Sequence, residues 1–501
     1  MKKNVVILWT VLIVCILGIA GCGKDPAESV TVPDTVVEEA VNETPSVSEP
    51  ITEEPAEESD TEEVIYPYWS ELHDYNLDQP VLEADGAIKN LSIQLGNKSD
   101  ELYVTWFSKS GSKGSVSFET DGLFSGITAK ATTTPSGAVP GYYRNSALVS
   151  GLKPNTAYTY TVKNGSSSSP SYTYETPDFE STDFTFTIAG DPEIGLGDED
   201  VHDSHRSIWR VVLNRMKSQI PESEFLLVTG DQVAKPDEPK LYDYYLDNSV
   251  LYSTPMMPLM GNHDVGSGFF GEHFSFPNQS PLGTSQGNDG DYWFVRGNVL
   301  FMVINTSTVM EKDIHEQFLA ETIEKNPDVK WRVVVSHYSP ATAVEKYQGQ
   351  REDIRYTFGY MAENFDIDLF LGGHDHVYTR SYFLDQDCDP RPDQTLENEF
   401  TNPEDPLYIV FGSATDALLR DADGPYPWAA KSVQNGVPQL SKAHVTDNSF
   451  TITTYDADTW NEIDSFTIYK DYLKDPSYSY KERLEASLDL MLIFIRIKRG
   501  F

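Results

Sequence analysis

Six apolar runs between residues 184 and 371 each break off into polar or glycine-rich chemistry, and this repeated grammar restricts the chain to few folds. Residues 184–188 lead to Gly190-Asp191, residues 225–228 to Gly230-Asp231, and residues 256–260 to Gly261-Asn262-His263-Asp264. Farther on, residues 299–304 lead to Asn305-Thr306, residues 331–335 to Ser336-His337, and residues 369–371 to Gly372-Gly373-His374-Asp375-His376. Apolar runs of this length suit strands buried on both faces, with residues 204–217 and 314–325 predicted as covering helices. Polar residues gathered at the carboxyl ends of such strands commonly build the site.

Taken alone, Gly-Asp after a strand is ordinary turn chemistry. The tetrapeptides Gly261-Asn262-His263-Asp264 and Gly373-His374-Asp375-His376 are far more specific, and the order Asp, Asp, Asn-His, His, His-x-His at successive strand ends is more specific still. Carboxylates, an amide oxygen and neutral imidazoles suit hard or borderline ions, and three cysteines in the whole chain leave no thiolate site. Two ions need a shared anionic ligand, and Asp231 is the candidate bridge. His374 and His376 can give one imidazole to each ion. Such a pair lowers the pKa of bound water to near neutrality and supplies hydroxide for in-line attack on phosphorus.

The formal net charge of -41 excludes nucleic acid as an expected partner, because backbone phosphates would be repelled on most approaches. A phosphorylated substrate would need a local cation cluster, which bound metals supply. At 501 residues the chain exceeds one hydrophobic core, so several domains are expected.

Lys2 and Lys3 precede an apolar run over residues 5–16, followed by Ile19-Ala20-Gly21-Cys22. The run is short of the roughly 20 residues a spanning helix needs. Residues 1–22 therefore read as an export signal, and they resemble the bacterial lipoprotein signal in which the cysteine, here Cys22, is lipidated. Beyond Cys22 only Cys388 remains, so no intrachain disulfide is expected. Residues 23–65 are rich in Glu, Thr, Pro, Ser and Val, which reads as a disordered acidic tether holding the folded part off the membrane. The expected location is extracytoplasmic, lipid-anchored to the bacterial cell membrane.

Residues 66–180 carry short alternating strands with turn residues between them, as at residues 102–106, 115–118 and 157–162. This spacing predicts a small antiparallel β-sandwich. The segment Leu152-Lys153-Pro154-Asn155-Thr156-Ala157-Tyr158 resembles the corner of fibronectin type III domains, where a tyrosine hydroxyl satisfies nearby backbone.

The order and content of the strand-end motifs look like those of the calcineurin-like metallophosphoesterase superfamily. With the preceding sandwich, the whole is similar to the purple acid phosphatases and their bacterial relatives. The resemblance implies a multidomain chain: a fibronectin type III-like all-β sandwich, then an α/β metallophosphoesterase domain over residues 181–470 with two packed mixed sheets flanked by helices. Residues 471–501 form a C-terminal extension. It further implies that Asp191 and His376 bind a first metal, that Asp231 bridges, and that Asn262, His337 and His374 bind a second. The ions would be Fe, Zn or Mn. His263 would be an outer acid that protonates the leaving oxygen or steadies the phosphate, with Asp264 orienting its ring. The implied activity is hydrolysis of phosphate monoesters or diesters. The alternative reading is a cell-surface binding protein that uses the sandwich, with the hydrolase domain as scaffold.

Two departures stand out. Purple acid phosphatases place a tyrosine ligand three residues after the bridging aspartate, where this chain has Ala234; other superfamily members have Asp-x-His in the first motif, where Asp191-Pro192-Glu193 stands here. The first metal thus lacks a familiar ligand, which Glu193, His202, His205 or water could replace. Arg351, Arg355, Arg380 and Tyr338 could contact substrate oxygens, although ion pairing is the commoner fate of such arginines. His73, His273, His315 and His444 lie outside the motif order and are expected to be structural or exposed. The run at residues 490–495 with Arg496, Lys498 and Arg499 is too short to span a bilayer.

Overall fold

A computed structural model of the chain describes residues 81–120, 126–266, 268–284, 290–307 and 312–471. The export signal with Cys22, the tether, His73 and the C-terminal run at residues 490–495 lie outside the described residues.

The amino-terminal part is a two-sheet antiparallel β-structure. One sheet orders the strands Ile88–Leu95, Glu101–Ser108, Tyr143–Ser150 and Thr132–Pro135; the other is built on Ile127–Lys130, Gly114–Glu119 and Ala157–Asn164, with Ser167–Ser168 and Tyr172–Glu175 pairing the last of these. Alternation decides the inward face: in Ala157–Asn164, Tyr158, Tyr160, Val162 and Asn164 are buried while their neighbours are not. The rings of Phe118 and Tyr160 stack 4.8 Å apart, and the fully buried Trp106 donates its indole N–H to Asn164 Oδ1 at 2.6 Å. The expected tyrosine corner is present, since the Lys153 backbone N–H donates to the Tyr158 hydroxyl at 2.9 Å.

The α/β part holds two seven-stranded mixed sheets. The first runs Met256–Pro258, Ser223–Val228, Phe184–Ala189, Gln439–Val445, Ser449–Asp456, Glu462–Tyr469 and Glu399–Thr401; the second runs Tyr292–Arg296, Val299–Val303, Trp331–Val335, Leu369–Gly372, Leu407–Val410, Tyr378–Phe383 and Ala429–Val433. All six apolar runs are strands, though the third ends early, at Pro258. The two sheets face each other. Phe186 of the first stacks on Phe225 at 4.7 Å and meets Phe301 of the second edge-on at 5.3 Å. The other face of the second sheet, with Leu300, Met302, Val334 and Phe370, buries against Phe318, Phe358 and Met361 of the helices Lys312–Lys325 and Gln348–Phe365. This double covering is why its strands are apolar without alternation. The helix Glu199–Gln219 contributes Trp209, Val212 and Met216 to the main core; it encloses the predicted 204–217 and starts earlier.

A polar seam joins the two parts. Lys89 and Asn90 both engage Asp243, Arg144 donates to the carbonyls of Glu272 and Phe274 at 2.7 and 2.8 Å, and the Tyr160 hydroxyl donates to the Tyr252 carbonyl at 2.6 Å. Cys388 is buried and is a free thiol.

Candidate metal centre

Both sheets aim the carboxyl ends of their parallel strands at one place. Asp191, Asp231 and Asn262 follow strands of the first sheet; His337, His374 and His376 follow strands of the second. Apart from the partly exposed Asn262, these side chains are buried. The backbone is forced there: Asp191, Glu193, Asp231, His374 and His376 all have positive φ, from 20° to 73°. A non-glycine residue held in this region costs on the order of 1–3 kcal/mol and persists only where its surroundings impose it. Glycine is required at two neighbours by close approach. A Cβ on Gly373 would stand 2.5 Å from Asp191 Oδ2, and one on Gly261 would run into Asp231 Oδ1.

Hydrogen bonding fixes which atoms face inward. His337 Nδ1 lies 2.9 Å from the Thr229 carbonyl and carries a proton toward it, which leaves Nε2 as the inward-facing atom. Nε2 points at Asn262 Oδ1 at 2.9 Å and Asp231 Oδ2 at 3.2 Å, two acceptors to which it donates when protonated and beside which it can offer a lone pair to a metal. His376 repeats the pattern, with Nδ1 against the Ala417 carbonyl at 2.8 Å and Nε2 facing Glu193 Oε2 at 3.2 Å. His374 Nε2 meets Gln350 Oε1 at 3.1 Å. Asp191 Oδ1 accepts the His374 backbone N–H at 2.9 Å, while its buried Oδ2 has no hydrogen-bond partner among the described residues. Either a proton on His337 Nε2 or a cation satisfies the acceptors around it, whereas His376, kept neutral by burial, sets a lone pair against Glu193 Oε2, where a cation fits. The residues therefore fit metal ions, and the ligand atoms fall into compact groups: Asp231, His337 and His374; Asp191, Asp231 and His376; and Glu193, Asp231 and His263, each within 4.8 Å.

The electrostatics agree. Burial and the neighbouring carboxylates Asp231 and Glu193 raise Asp191 well above the usual carboxylate range, despite His337 and the His374 backbone N–H. Burial also opposes ionisation of Asp231, but His337 and His263 override it and hold Asp231 low. His337 is raised to about 9, because Asp231 and Asp191 outweigh its burial. The pocket draws positive charge.

Other sequence candidates divide. His263 sits at the edge, its backbone N–H donating to Asp231 Oδ1 at 2.8 Å and its Nε2 2.9 Å from Glu193 Oε1. Asp264 does not orient that ring as expected. Its carboxylate folds back to accept backbone N–H groups of Gly261 at 3.0 Å and Gln232 at 3.1 Å, so it braces the turns carrying Asp231 and Asn262. His205 is held by the Gly195 N–H at 3.3 Å and His202 faces the Gly197 carbonyl, whereas Glu193 groups with Asp231 and His263 and also stands 3.2 Å from His376, which makes it the gap-filling candidate at the centre. Arg380 is buried against Asp464 at 2.7 Å, Arg351 stacks on Trp428 at 3.7 Å and bonds the Cys388 carbonyl, and Arg355 pairs with Glu352, so none of these arginines belongs to the centre. Tyr338 does, its ring 4.6 Å from that of His374. His273 and His315 are buried, His315 against Asp291 at 2.8 Å, and His444 is half-buried, 2.9 Å from Asp183. Sequence reasoning missed Gln350, Tyr347 and Arg420. The ring of Tyr347 lies 4.2 Å from His374 and the Arg420 guanidinium 5.1 Å from the Tyr347 ring. They come from segments without a motif.

Residues 200–378 match the family model of the calcineurin-like phosphoesterases, and residues 88–176 match that of the purple acid phosphatase N-terminal domain. Among solved structures, the chain is similar to the purple acid phosphatase PPD1 from yellow lupin (Lupinus luteus) seeds, at 16% identity and a TM-score of 0.61 over 77% of this chain and 75% of that one. It is also similar to PhoD, at 14% identity and a TM-score of 0.51 over 82% of this chain and 99% of that one. No curated protein sequence matches the chain significantly. The fold and the family matches define the class as metal-dependent phosphoric ester hydrolases. Residues 200–378 thus carry the match to the calcineurin-like phosphoesterases and residues 88–176 the match to the N-terminal domain of the purple acid phosphatases, a purple acid phosphatase-like arrangement with the β-sandwich in front.

Proposed function

We propose that this chain is an exported, lipid-anchored dinuclear phosphoesterase that hydrolyses phosphate monoesters or diesters. The observation that carries the reading is the inward convergence of metal-ligating atoms from His337, His376, Asn262 and Asp231 with Asp191 Oδ2, which has no hydrogen-bond partner among the described residues. In this reading Asp191 and His376 hold a first ion, Asn262, His337 and His374 a second, and Asp231 both. Divalent ions bound there would polarise phosphoryl oxygens and bring the ionisation of water near neutral pH. Asp231 is aligned for this by the His263 backbone N–H, and His374 by Gln350. His263, raised to about 11 by Asp231 and Glu193 against the effect of burial, holds a proton at the rim for the leaving oxygen. We read Arg420, a partly buried cation beside the cluster, as a contact for the phosphate. The signal ending at Cys22 and the acidic tether support the anchored, extracytoplasmic location.

The test is metal analysis of the purified full-length chain together with turnover of an aryl phosphate and a bis-aryl phosphate. Two ions per chain with turnover of either ester are expected. A metal-replete protein that turns over neither would refute the reading, and retention of Cys22 without lipid in a bacterial host would refute the anchor.

A further inference from the structure

The first ion of the proposed pair has fewer protein ligands than the second, because Ala234 stands where a tyrosine would serve and Glu193 where a histidine would. Glu193 lies two residues after Asp191, and its backbone is fixed on both sides. Its N–H donates to the Asp231 carbonyl at 2.7 Å, Ile194 forms a bridge with Val233, and φ at Glu193 is 40°. Those restraints turn the side chain into the ligand cluster rather than toward solvent, and it is 1% exposed.

The two carboxylate oxygens have different neighbours. Oε1 lies 2.9 Å from His263 Nε2. Oε2 is buried, has no hydrogen-bond partner among the described residues, and stands 3.2 Å from His376 Nε2. Because His376 Nδ1 donates to the Ala417 carbonyl, Nε2 brings a lone pair to that contact and not a proton. A buried carboxylate oxygen against an imidazole lone pair is repulsive unless a cation lies between them. His202 and His205 are engaged with the Gly197 carbonyl and the Gly195 N–H.

We propose that Glu193 is the remaining protein ligand of the first metal through Oε2, while Oε1 holds His263, so that one carboxylate couples the ion to the rim histidine. This rests on the dinuclear reading given above. The first ion would then be held by Asp191, Asp231, Glu193 and His376, an oxygen-rich set suited to a hard or borderline ion such as Mn2+, whereas the second keeps two imidazoles and an amide.

The experiment counts ions rather than turnover. Full-length chain, Glu193→Ala, Glu193→Gln and His205→Asn are loaded with Mn2+, freed of excess and analysed for metal per chain, with circular dichroism reporting the fold. The native chain and His205→Asn should hold two ions; Glu193→Ala should hold one, and Glu193→Gln should bind its first-site ion at least about tenfold more weakly. A Co2+-loaded sample should lose the absorption of one ion only. If Glu193 served solely as an ion-pair partner of His263, both Glu193 variants would keep two ions at native affinity, which would overturn the proposal. Loss of one ion from His205→Asn with two retained in Glu193→Ala would overturn it too. A native chain with fewer than two ions would instead defeat the dinuclear reading itself. Should Glu193→Ala fail to fold, the isosteric Glu193→Gln carries the decision.

Discussion

Replacing His273 with asparagine should leave the chain folded at pH 7 and make its stability less sensitive to acid. His273 is fully buried at the seam between the β-structure and the α/β part, its ring stacked 3.8 Å from Tyr242 and 5.0 Å from Phe107. Nδ1 donates to the Phe269 carbonyl at 2.8 Å, and Nε2 is buried with no hydrogen-bond partner among the described residues. A second proton would have to sit on that Nε2. Burial, aided by the charges of Lys89 and Arg144 and opposed by the Phe269 carbonyl, therefore pushes the pKa down to about 3. The sign follows from where the protons go. The folded chain keeps His273 neutral, whereas the unfolded chain takes up a proton below about pH 6.5, so stability is full above that pH and falls as acid is added. The loss is about 1.4 kcal/mol per pH unit below 6.5, with a ceiling of about 5 kcal/mol near pH 3. Asparagine keeps the donor to Phe269 but not the titration. At pH 7 the lost packing should cost the variant roughly 1–3 kcal/mol. Urea unfolding at pH 7, 5.5 and 4.5 measures the gap between the two proteins, which should shrink on acidification and reverse near pH 5. A gap that stays constant from pH 7 to pH 4.5 would refute the account of His273.

Three further outcomes are expected. Chelation should lower the unfolding temperature and abolish ester turnover together, since ions that bind only the folded chain stabilise it by mass action, about 3 kcal/mol at a hundredfold excess over Kd; differential scanning calorimetry with and without added Mn2+ checks this. Asp264→Asn would set an amide N–H2 against the N–H groups of Gly261 and Gln232, and should weaken metal binding about 10- to 100-fold without changing the ligands themselves, read by metal titration. Arg420→Ala should raise KM for an aryl phosphate by about tenfold or more while metal content stays native, as expected for loss of a charged hydrogen bond of about 1.5–3 kcal/mol.

The candidate ligand positions were legible as strand ends because each strand buried on both faces must be apolar, so the first polar residue past its end stands out. Glycine marks these points for a second reason, seen where Gly261 and Gly373 leave no room for a Cβ beside Asp231 and Asp191. What the sequence left open depended on direction. Asp264 and His263 are adjacent, yet the Asp264 carboxylate folds back on Gly261 while the His263 ring reaches Glu193, and no pattern of residue types encodes that divergence. Arg380 resembles a phosphate ligand in sequence but is committed to Asp464, 84 residues away. Gln350 and Arg420 lie on a helix and a loop with no motif. Their place at the centre depends on how the helix Gln348–Phe365 and the loop after Leu407–Val410 pack, as does the insertion of Gln439–Val445 antiparallel to Phe184–Ala189.

The charge of the whole chain and that of its centre pull in opposite directions, and this accounts for the composition of the site. A net charge of -41 repels phosphate esters at long range. Within the centre, Asp191, Glu193 and Asp231 bring three of the chain's carboxylates to one buried place. Two divalent ions would add four positive charges to those three negative ones, leaving a small positive excess that Arg420 enlarges. On the proposed dinuclear reading a third carboxylate would matter twice: it would help the pocket hold both ions, and it would keep their combined field modest enough for a phosphate product to leave. A histidine in place of Glu193 would make the same centre more positive by one charge, retaining product longer in a chain whose surface favours its departure.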